Sequence, residues 1–265
     1  MSTTRPPAVA GSFYPGDPSA LAAEVTAYLA AGRAPAATPP KAIIAPHAGY
    51  LYSGAVAASG YARVAPLAGK IARVVLAGPA HRVHVRGVAI PAASAFTTPL
   101  GAVALDREAL EAVRRFPFVE VSERAHALEH SLEVHLPFLQ AALGTFRLAP
   151  LVVGDAAPEE MAALLEALWG GAETLVVVSS DLSHYLPYDE ARERDRRTAS
   201  AIVALDAHLE PEEACGAAPI NGLLVLARRL GLEAELLDLR NSGDTAGSRD
   251  RVVGYGAFAF HRRHG

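Results

Sequence analysis

The chain has 265 residues, 51% of them hydrophobic, and its formal net charge is -4 at pH 7. This length and composition suffice for a sizeable buried core and exclude a disordered chain. The charged residues form no run of one sign, which argues against a nucleic-acid-binding face and against a membrane-surface patch.

The compartment can be inferred from the N-terminal region and the cysteine content. The first 30 residues do not resemble a secretory signal, because Pro15, Gly16, Asp17 and Glu24 interrupt them. No stretch approaches the apolar length that spans a bilayer. The single cysteine, Cys215, excludes an internal disulfide and fits a reducing compartment. We therefore expect a cytoplasmic protein.

Helical and strand patterns alternate along the chain. The first helix is expected to follow Asp17, whose side chain can cap free amides, and to end before Gly32. Short runs rich in Val and Ile, bounded by Pro, Gly or Ser, are typical of strands buried on both faces of a sheet. The predicted helices are 18–31, 54–64, 106–115, 133–143, 158–169, 188–205 and 222–230. The predicted strands are 41–45, 73–76, 87–91, 148–153, 174–178, 233–239 and 252–260.

This alternation predicts an α/β fold. Strands that alternate with helices form right-handed crossovers, so we expect a central, mostly parallel or mixed sheet covered by helices on both faces. Neither a shift in composition nor an internal repeat marks a boundary. The whole chain, residues 1–265, is therefore assigned to a single domain.

Three of the predicted strands run into a histidine. The segments read IIAPH, VVLAGPAH and VVVSSDLSH, and they end at His47, His81 and His184. A single histidine after a strand is more often an ordinary loop residue, but three such endings with Pro, Gly and Ser neighbours favour a site. Ligand sites of open α/β sheets lie beyond the carboxyl ends of the strands. These histidines and Asp181 are therefore expected to meet at one edge of the sheet.

Two histidines at strand ends are a natural ligand pair for a divalent transition metal, which prefers imidazole, thiolate and carboxylate ligands. The residues alone leave the third ligand open. Its candidates are Asp181, His184, Cys215, Glu129, His130 and Glu133. The acids and histidines of segment 129–135 could instead orient the ligands through their distal nitrogens, or could simply begin a helix with exposed side chains.

Other chemistries have weaker support in the sequence. A lone cysteine is more often a small buried residue than a ligand, although Cys215 precedes Gly216 in a predicted loop. A carboxylate such as Asp181 could raise the basicity of His184 for proton transfer. A serine hydrolase is disfavoured because the chain has no GxSxG motif, and the phosphate-binding glycine patterns are missing as well.

An ordered set of motifs covers nearly the whole chain: AGSFYP (10–15), APHAGYLYSG (45–54), GPAH (78–81), TPLG (98–101), EHSLEVHLPF (129–138), SSDLSHY (179–185), CGAAPI (215–220), SGD (242–244) and VVGYGAF (252–258). In this order they resemble the Memo family, named for the mediator of cell motility, whose bacterial members are called AmmeMemoRadiSam system protein B. That family is similar in fold to the class III extradiol dioxygenases, the LigB-like non-haem iron enzymes.

The resemblance implies a set of site residues. His47, His81 and Cys215 match the metal-binding positions of the family. Asp181 and His184 match the acidic and basic residues of the same pocket, where we expect them to be catalytic. The residues assigned to substrate binding are Phe13, which stands where a relative has Trp, Tyr52 and His130. The dioxygenases use two histidines and a carboxylate, so a thiolate as third ligand argues against ring cleavage.

The leading expectation is a metal-dependent redox protein that uses iron or copper, with His184 moving a proton and Asp181 as its partner. Whether the chain is an enzyme, such as an oxidoreductase, is left open. The alternatives are a zinc-dependent hydrolase and a non-catalytic module that binds a peptide in the same pocket. A ligating Cys215 is expected to be partly accessible and to have a lowered pKa. The expected partners are a small molecule or peptide and, by resemblance, radical-SAM and AMMECR-type proteins, with no nucleic acid and no membrane.

Overall fold

Strands and helices alternate through residues 4–32 and 38–262, which are the residues that the computed structural model describes. The strands are β1 (Thr4–Arg5), β2 (Ala42–Ala45), β3 (Arg73–Pro79), β4 (Val88–Ile90), β5 (Ala95–Thr98), β6 (Gly101–Ala104), β7 (Val119–Val121), β8 (Arg147–Val153), β9 (Thr174–Ser179), β10 (His184–Leu186), β11 (Leu232–Asn241) and β12 (Val252–Arg262). The helices are α1 (Pro18–Ala31), α2 (Tyr50–Val64), α3 (Arg107–Arg114), α4 (Glu123–Ala127), α5 (Leu136–Leu143), α6 (Pro158–Ala167), α7 (Tyr188–Val203), α8 (Ala217–Arg229) and α9 (Ser242–Thr245).

The main sheet is mixed and has a parallel centre. Its strand order is β10-β12-β2-β9-β3-β8-β4-β7, and β11 pairs with β12. The four central strands β2, β9, β3 and β8 are all parallel, whereas β12 runs antiparallel to β2. A separate small sheet has the order β1-β5-β6. The predicted α/β fold with a mostly parallel or mixed sheet is confirmed, and the carboxyl ends of β2, β3 and β9 share one edge.

Burial explains why the central strands read as continuous apolar runs. Every residue of β2 and β9 is buried, as parallel strands covered on both faces require. Helices flank the sheet: α2 packs between α1 and α5 and contacts β2, while α8 packs on α6 and contacts β3 and β9. None of the described helices has the length and apolar character that a bilayer-crossing segment needs.

Two helix starts show how local chemistry fixes the elements. Asp17 caps α1 as predicted, because its carboxylate accepts the N–H of Ala20 at 2.8 Å. The predicted helix 133–143 divides instead: Glu133–His135 is a 3-10 turn and α5 begins at Leu136. This division places Pro137 in the first turn of α5. Backbone N–H groups in a first turn have no partner within the helix, so the missing N–H of proline costs no hydrogen bond there.

The elements that the sequence did not predict are short. They are β1, β5, β6, β7, β10, α4 and α9, of five residues or fewer. Such segments contain too few residues to show a period, and three of the four residues of β6 are exposed, so no apolar run marks it. In addition, α2 begins at Tyr50 rather than at residue 54. The earlier start places its first turn directly beside the edge where the histidines meet.

Candidate metal centre

His47 follows β2 and is almost completely buried. Its Nδ1 lies 2.6 Å from Ser179 Oγ, and the Ser179 hydroxyl donates its proton to the Ser131 carbonyl oxygen at 2.6 Å. Since a hydroxyl has only one proton, Ser179 must accept from His47, so Nδ1 carries the hydrogen. The Nε2 lone pair of His47 is therefore free to bind a cation. Burial, and then the neighbouring imidazoles, hold the pKa of His47 well below its usual value.

His81 follows β3 and is oriented by a buried carboxylate. Glu129 accepts the backbone N–H of His81 at 2.6 Å and lies 3.0 Å from its Nδ1. The same carboxylate accepts the N–H groups of His130 and Ser131, each at 2.9 Å. Burial alone would raise the pKa of Glu129, but the hydrogen bonds from His81 and the backbone outweigh it and lower the pKa to about 2. An ionised carboxylate only accepts, so Nδ1 of His81 donates and Nε2 is free.

Glu129→Gln is therefore expected to weaken metal binding by about 10- to 100-fold, the usual effect of losing the group that orients a ligating histidine. The glutamine cannot accept the four N–H groups that Glu129 faces, because one of its ends is itself a donor. Metal affinity by calorimetry and thermal unfolding should be measured on the same samples. The control is Glu111→Gln, at a side chain that is 69% exposed. Parent-like affinity in a folded Glu129→Gln variant would show that this carboxylate does not orient His81.

His130 completes a cluster of three imidazoles. Its ring stacks on that of His81, with centroids 4.8 Å apart, and meets the His47 ring edge-on at 5.6 Å. One ligand nitrogen from each of His47, His81 and His130 lies within 4.8 Å of the others. Burial is the main cause that lowers the pKa of His130 to about 4, and its buried Nδ1 has no hydrogen-bond partner. Three imidazoles in this arrangement could hold a metal ion.

Cys215 lies beside His47, in the loop before α8. Its Sγ is 3.4 Å from His47 Nε2 and accepts the N–H of Asp181 at 3.3 Å. A β-carbon at Gly216 would stand 2.6 Å from the Ser179 carbonyl oxygen, so only glycine lets this loop approach β9 so closely. The thiol is partly accessible as expected. The expected low pKa is wrong for the metal-free protein: burial, and then the charge of Asp181, raise it to about 12.

Asp181 and His184 lie at the same edge but do not form the expected pair. The Asp181 carboxylate accepts the backbone N–H of His47 at 2.8 Å, and burial raises its pKa to about 7. Among the hydrogen bonds of the described residues, none joins it to His184, because the carboxylate faces the end of β2. His184 begins β10, is half-buried, and has its pKa lowered mainly by burial. The structure thus places Asp181 as a support for His47 and His184 as the more accessible base.

Phe13 belongs to an N-terminal arm, residues 4–14, and it reaches the site because Glu133 anchors this arm. A buried ion pair joins Arg5 to Glu133 at 2.7 Å, and Glu133 also accepts the Tyr14 hydroxyl at 2.6 Å. This anchoring brings Phe13 against the ring of His130, with centroids 4.8 Å apart. Tyr52, in the first turn of α2, is 39% exposed. Of the two predicted aromatic residues, Phe13 on the arm therefore contacts the histidine cluster, and Tyr52 on α2 lies close to Gly49, two residues after His47.

The sequence did not predict several supporting residues. The sequence patterns assign no supporting role to Ser131, Ser179 or the buried Tyr255. Burial, and then the charges of Asp181 and Tyr52, raise the pKa of Tyr255. The signal that could have identified Ser179 is its position at the carboxyl end of β9, level in register with Ala45 of β2.

Comparisons with known proteins agree with the motifs. A family described as Memo-like protein matches residues 5–259. A MEMO1 family protein of Sulfolobus acidocaldarius is 36% identical, over 95% of this chain and 97% of the relative. One from Ignicoccus hospitalis is 39% identical, over 97% of this chain and 98% of the relative. The solved structure of an uncharacterized Escherichia coli protein is similar in fold, with a TM-score of 0.52 and 17% identity, covering 81% of this chain and 98% of that one.

Proposed function

Because this chain belongs to the Memo-like family, and because its histidines converge at one edge of the sheet, we propose that it is a metal-dependent redox protein. His47, His81 and Cys215 hold the metal in this proposal, and His184 moves a proton. The observation that carries it is the fixed tautomer of two imidazoles. Ser179 and Glu129 each accept an Nδ1–H group, which leaves the Nε2 atom of each ring as the one that can bind a metal.

The donor set fits a transition metal. In a tetrahedral site, an imidazole nitrogen at about 2.1 Å and a thiolate at about 2.3 Å stand about 3.6 Å from each other. His47 Nε2 and Cys215 Sγ are 3.4 Å apart, so a metal needs little movement of either side chain. Two imidazoles and one thiolate favour copper, iron or zinc over magnesium or calcium. A bound iron or copper ion would supply one-electron chemistry at this edge of the sheet.

The protein's own groups would then bind and orient the substrate. Phe13 covers the His130 side of the cluster and limits the access of water there. His184 is the half-buried base at the opening, so it can exchange a proton with both the substrate and solvent. Leu51, Leu128 and Tyr185 adjoin site residues in sequence, and each is more than 60% exposed. Exposed apolar side chains of this kind support a small molecule or a peptide as the substrate.

A second candidate has its own support. The nitrogen atoms of His47, His81 and His130 come within 4.8 Å of one another without any contribution from Cys215. Three histidines with an open fourth position are typical of catalytic zinc. In that case the protein would be a zinc-dependent hydrolase, with His184 acting as the base.

The number of protons released on metal binding distinguishes the two ligand sets. Without metal the Cys215 thiol is protonated, since its pKa is about 12, whereas imidazoles are neutral at about pH 8. Binding through Cys215 should release about one proton per ion, and binding through three imidazoles about none. The measurement is calorimetric titration with Co²⁺ in two buffers of different ionisation enthalpy, with the thiolate charge-transfer absorbance recorded in parallel.

Two variants complete this test. Cys215→Ser should release almost no proton, lose the charge-transfer absorbance and bind Co²⁺ more weakly, while His130→Ala should match the parent in all three. If His130→Ala instead loses the metal and the parent releases no proton, the zinc-dependent hydrolase replaces the redox proposal. If the parent binds no metal ion, the metal centre itself is refuted.

A further inference from the structure

A groove separate from the histidine cluster lies between α7 and β11, a strand that pairs only with β12 among the described strands. It consists of two adjoining cavities, of about 920 and 300 Å³, which share Arg196 and Leu239. The larger cavity contains mainly small and apolar side chains, and the smaller contains arginines and an amide. One continuous groove therefore has two ends of different chemistry.

The larger cavity is the apolar end. Val203 on α7 and Leu236 on β11 line it and are 41% and 39% exposed, so both present apolar surface to the same cavity. Ala199, Ala234 and Leu239 complete its apolar lining. Of its two carboxylates, Glu235 is paired with Arg63 at 2.6 Å and Glu233 is exposed to water. Exposed apolar surface rimmed by polar groups is typical of a ligand-binding groove.

The smaller cavity has donors without matching acceptors. Arg192 is 3.8 Å from Asp189, whose side chain is 93% exposed, and no carboxylate of the described residues lies within ion-pairing distance of Arg196. Asn241 is 1% exposed, and its side-chain nitrogen is buried without a partner. Its side-chain oxygen is already used, because it accepts the N–H of Gly243 at 2.9 Å. A buried amide that donates to nothing is destabilising unless a ligand or water accepts from it.

The acids of the smaller cavity already have donors of their own. Asp244 accepts the Tyr188 hydroxyl and the backbone N–H of Asn241. Asp195 accepts the N–H of Ser183 at 3.0 Å, and the third arginine, Arg240, is paired with Asp238 at 2.5 Å. Among the described residues, the donors without an acceptor are therefore the Arg196 guanidinium and the Asn241 amide, and Arg192 has only the exposed Asp189 at 3.8 Å. These donors match the oxygens of a carboxylate or phosphate group.

We propose that this groove binds an amphiphile, a molecule with an apolar body and an oxyanionic head group. The head lies at Arg196 and Asn241, and the body lies between α7 and β11 against Val203 and Leu236. The proposal is independent of the metal centre, because none of the groove residues belongs to the histidine cluster. A ligand with only one of the two features would leave either the donors or the apolar surface unmatched.

The experiment measures binding of two probes to the full chain by calorimetry, laurate for a carboxylate head and dodecyl phosphate for a phosphate head. Arg196→Glu and Asn241→Asp change the head end, and the aspartate keeps the oxygen that accepts from Gly243. Leu236→Asp changes the apolar end. Each is expected to weaken the better probe about tenfold or more. The control is Arg197→Glu on the same helix, at a side chain paired with Glu193 and 64% exposed, and it should bind within about twofold of the parent.

The two probes and the variants give distinct outcomes. Tighter binding of laurate identifies a carboxylate head group, and tighter binding of dodecyl phosphate identifies a phosphate head group. Either result supports the proposal. Absence of saturable binding of either probe would overturn it, as would equal weakening by Arg197→Glu. If the parent is a dimer that Leu236→Asp dissociates without changing probe binding, the groove is a contact between two copies and the proposal is wrong. Circular dichroism confirms that each variant is folded.

Discussion

His47→Ala and His81→Ala are each expected to lose most of the bound metal, whereas His184→Ala should retain it. Ser179 and Glu129 hold both rings in place through Nδ1, so each alanine removes an oriented ligand from a site that has only three. Even the loss of a group that only orients a ligand costs about 10- to 100-fold in affinity, so the loss of a ligand should exceed about 100-fold. His184 is half-buried and is joined to the other histidines by no hydrogen bond among the described residues.

Asp181→Asn, like His184→Ala, is expected to retain the metal. Asparagine keeps an oxygen that can accept the N–H of His47, so the end of β2 should stay in place and metal content should stay near that of the parent. A matched control is His208→Ala, at a histidine side chain that is 85% exposed. The measurement is metal content and affinity for all five variants. If His184→Ala loses metal as severely as His81→Ala, His184 is a ligand and the assignment of Cys215 weakens.

The sequence could predict that His47 and His81 meet, because the carboxyl ends of neighbouring parallel strands must share an edge. His47 and His81 each follow a strand whose apolar run is visible in the sequence. Only the order of the strands was missing, and β9 between β2 and β3 brings Asp181 to the same edge. This part of the site follows from local pattern and topology.

The supports of the cluster could not be predicted in the same way. Glu129 binds His81 from 48 positions away, and Arg5 binds Glu133 across 128 positions, so both pairs depend on how distant segments pack. The raised pKa of Cys215 could not be predicted from the sequence either, because it depends on burial and on the nearby charge of Asp181. A residue type and its neighbours in sequence do not determine either quantity.

Glu133→Leu is expected to lower the free energy of unfolding by about 3–5 kcal/mol, because it leaves a buried charge without its partner. The side chains of Arg5 and Glu133 are 3% and 1% exposed, so water cannot replace the lost carboxylate. The substitution also removes the acceptor of the Tyr14 hydroxyl and of the Val9 N–H. The matched control is Glu111→Leu, which breaks the exposed pair with Arg114 and should change stability by less than about 0.5 kcal/mol.

The same substitution should loosen the arm that holds Phe13 against His130. Arg5 contacts the carbonyl oxygens of His126 and Glu129, each at 2.6 Å, so the arm and the segment that orients His81 share one anchor. Adding Arg5→Met to Glu133→Leu should recover part of the lost stability, since the unpaired charge is gone, but the arm should stay loose. Urea unfolding measures the first effect and amide hydrogen exchange in residues 5–14 the second. Parent-like exchange in Glu133→Leu would show that the ion pair does not hold the arm on the metal centre.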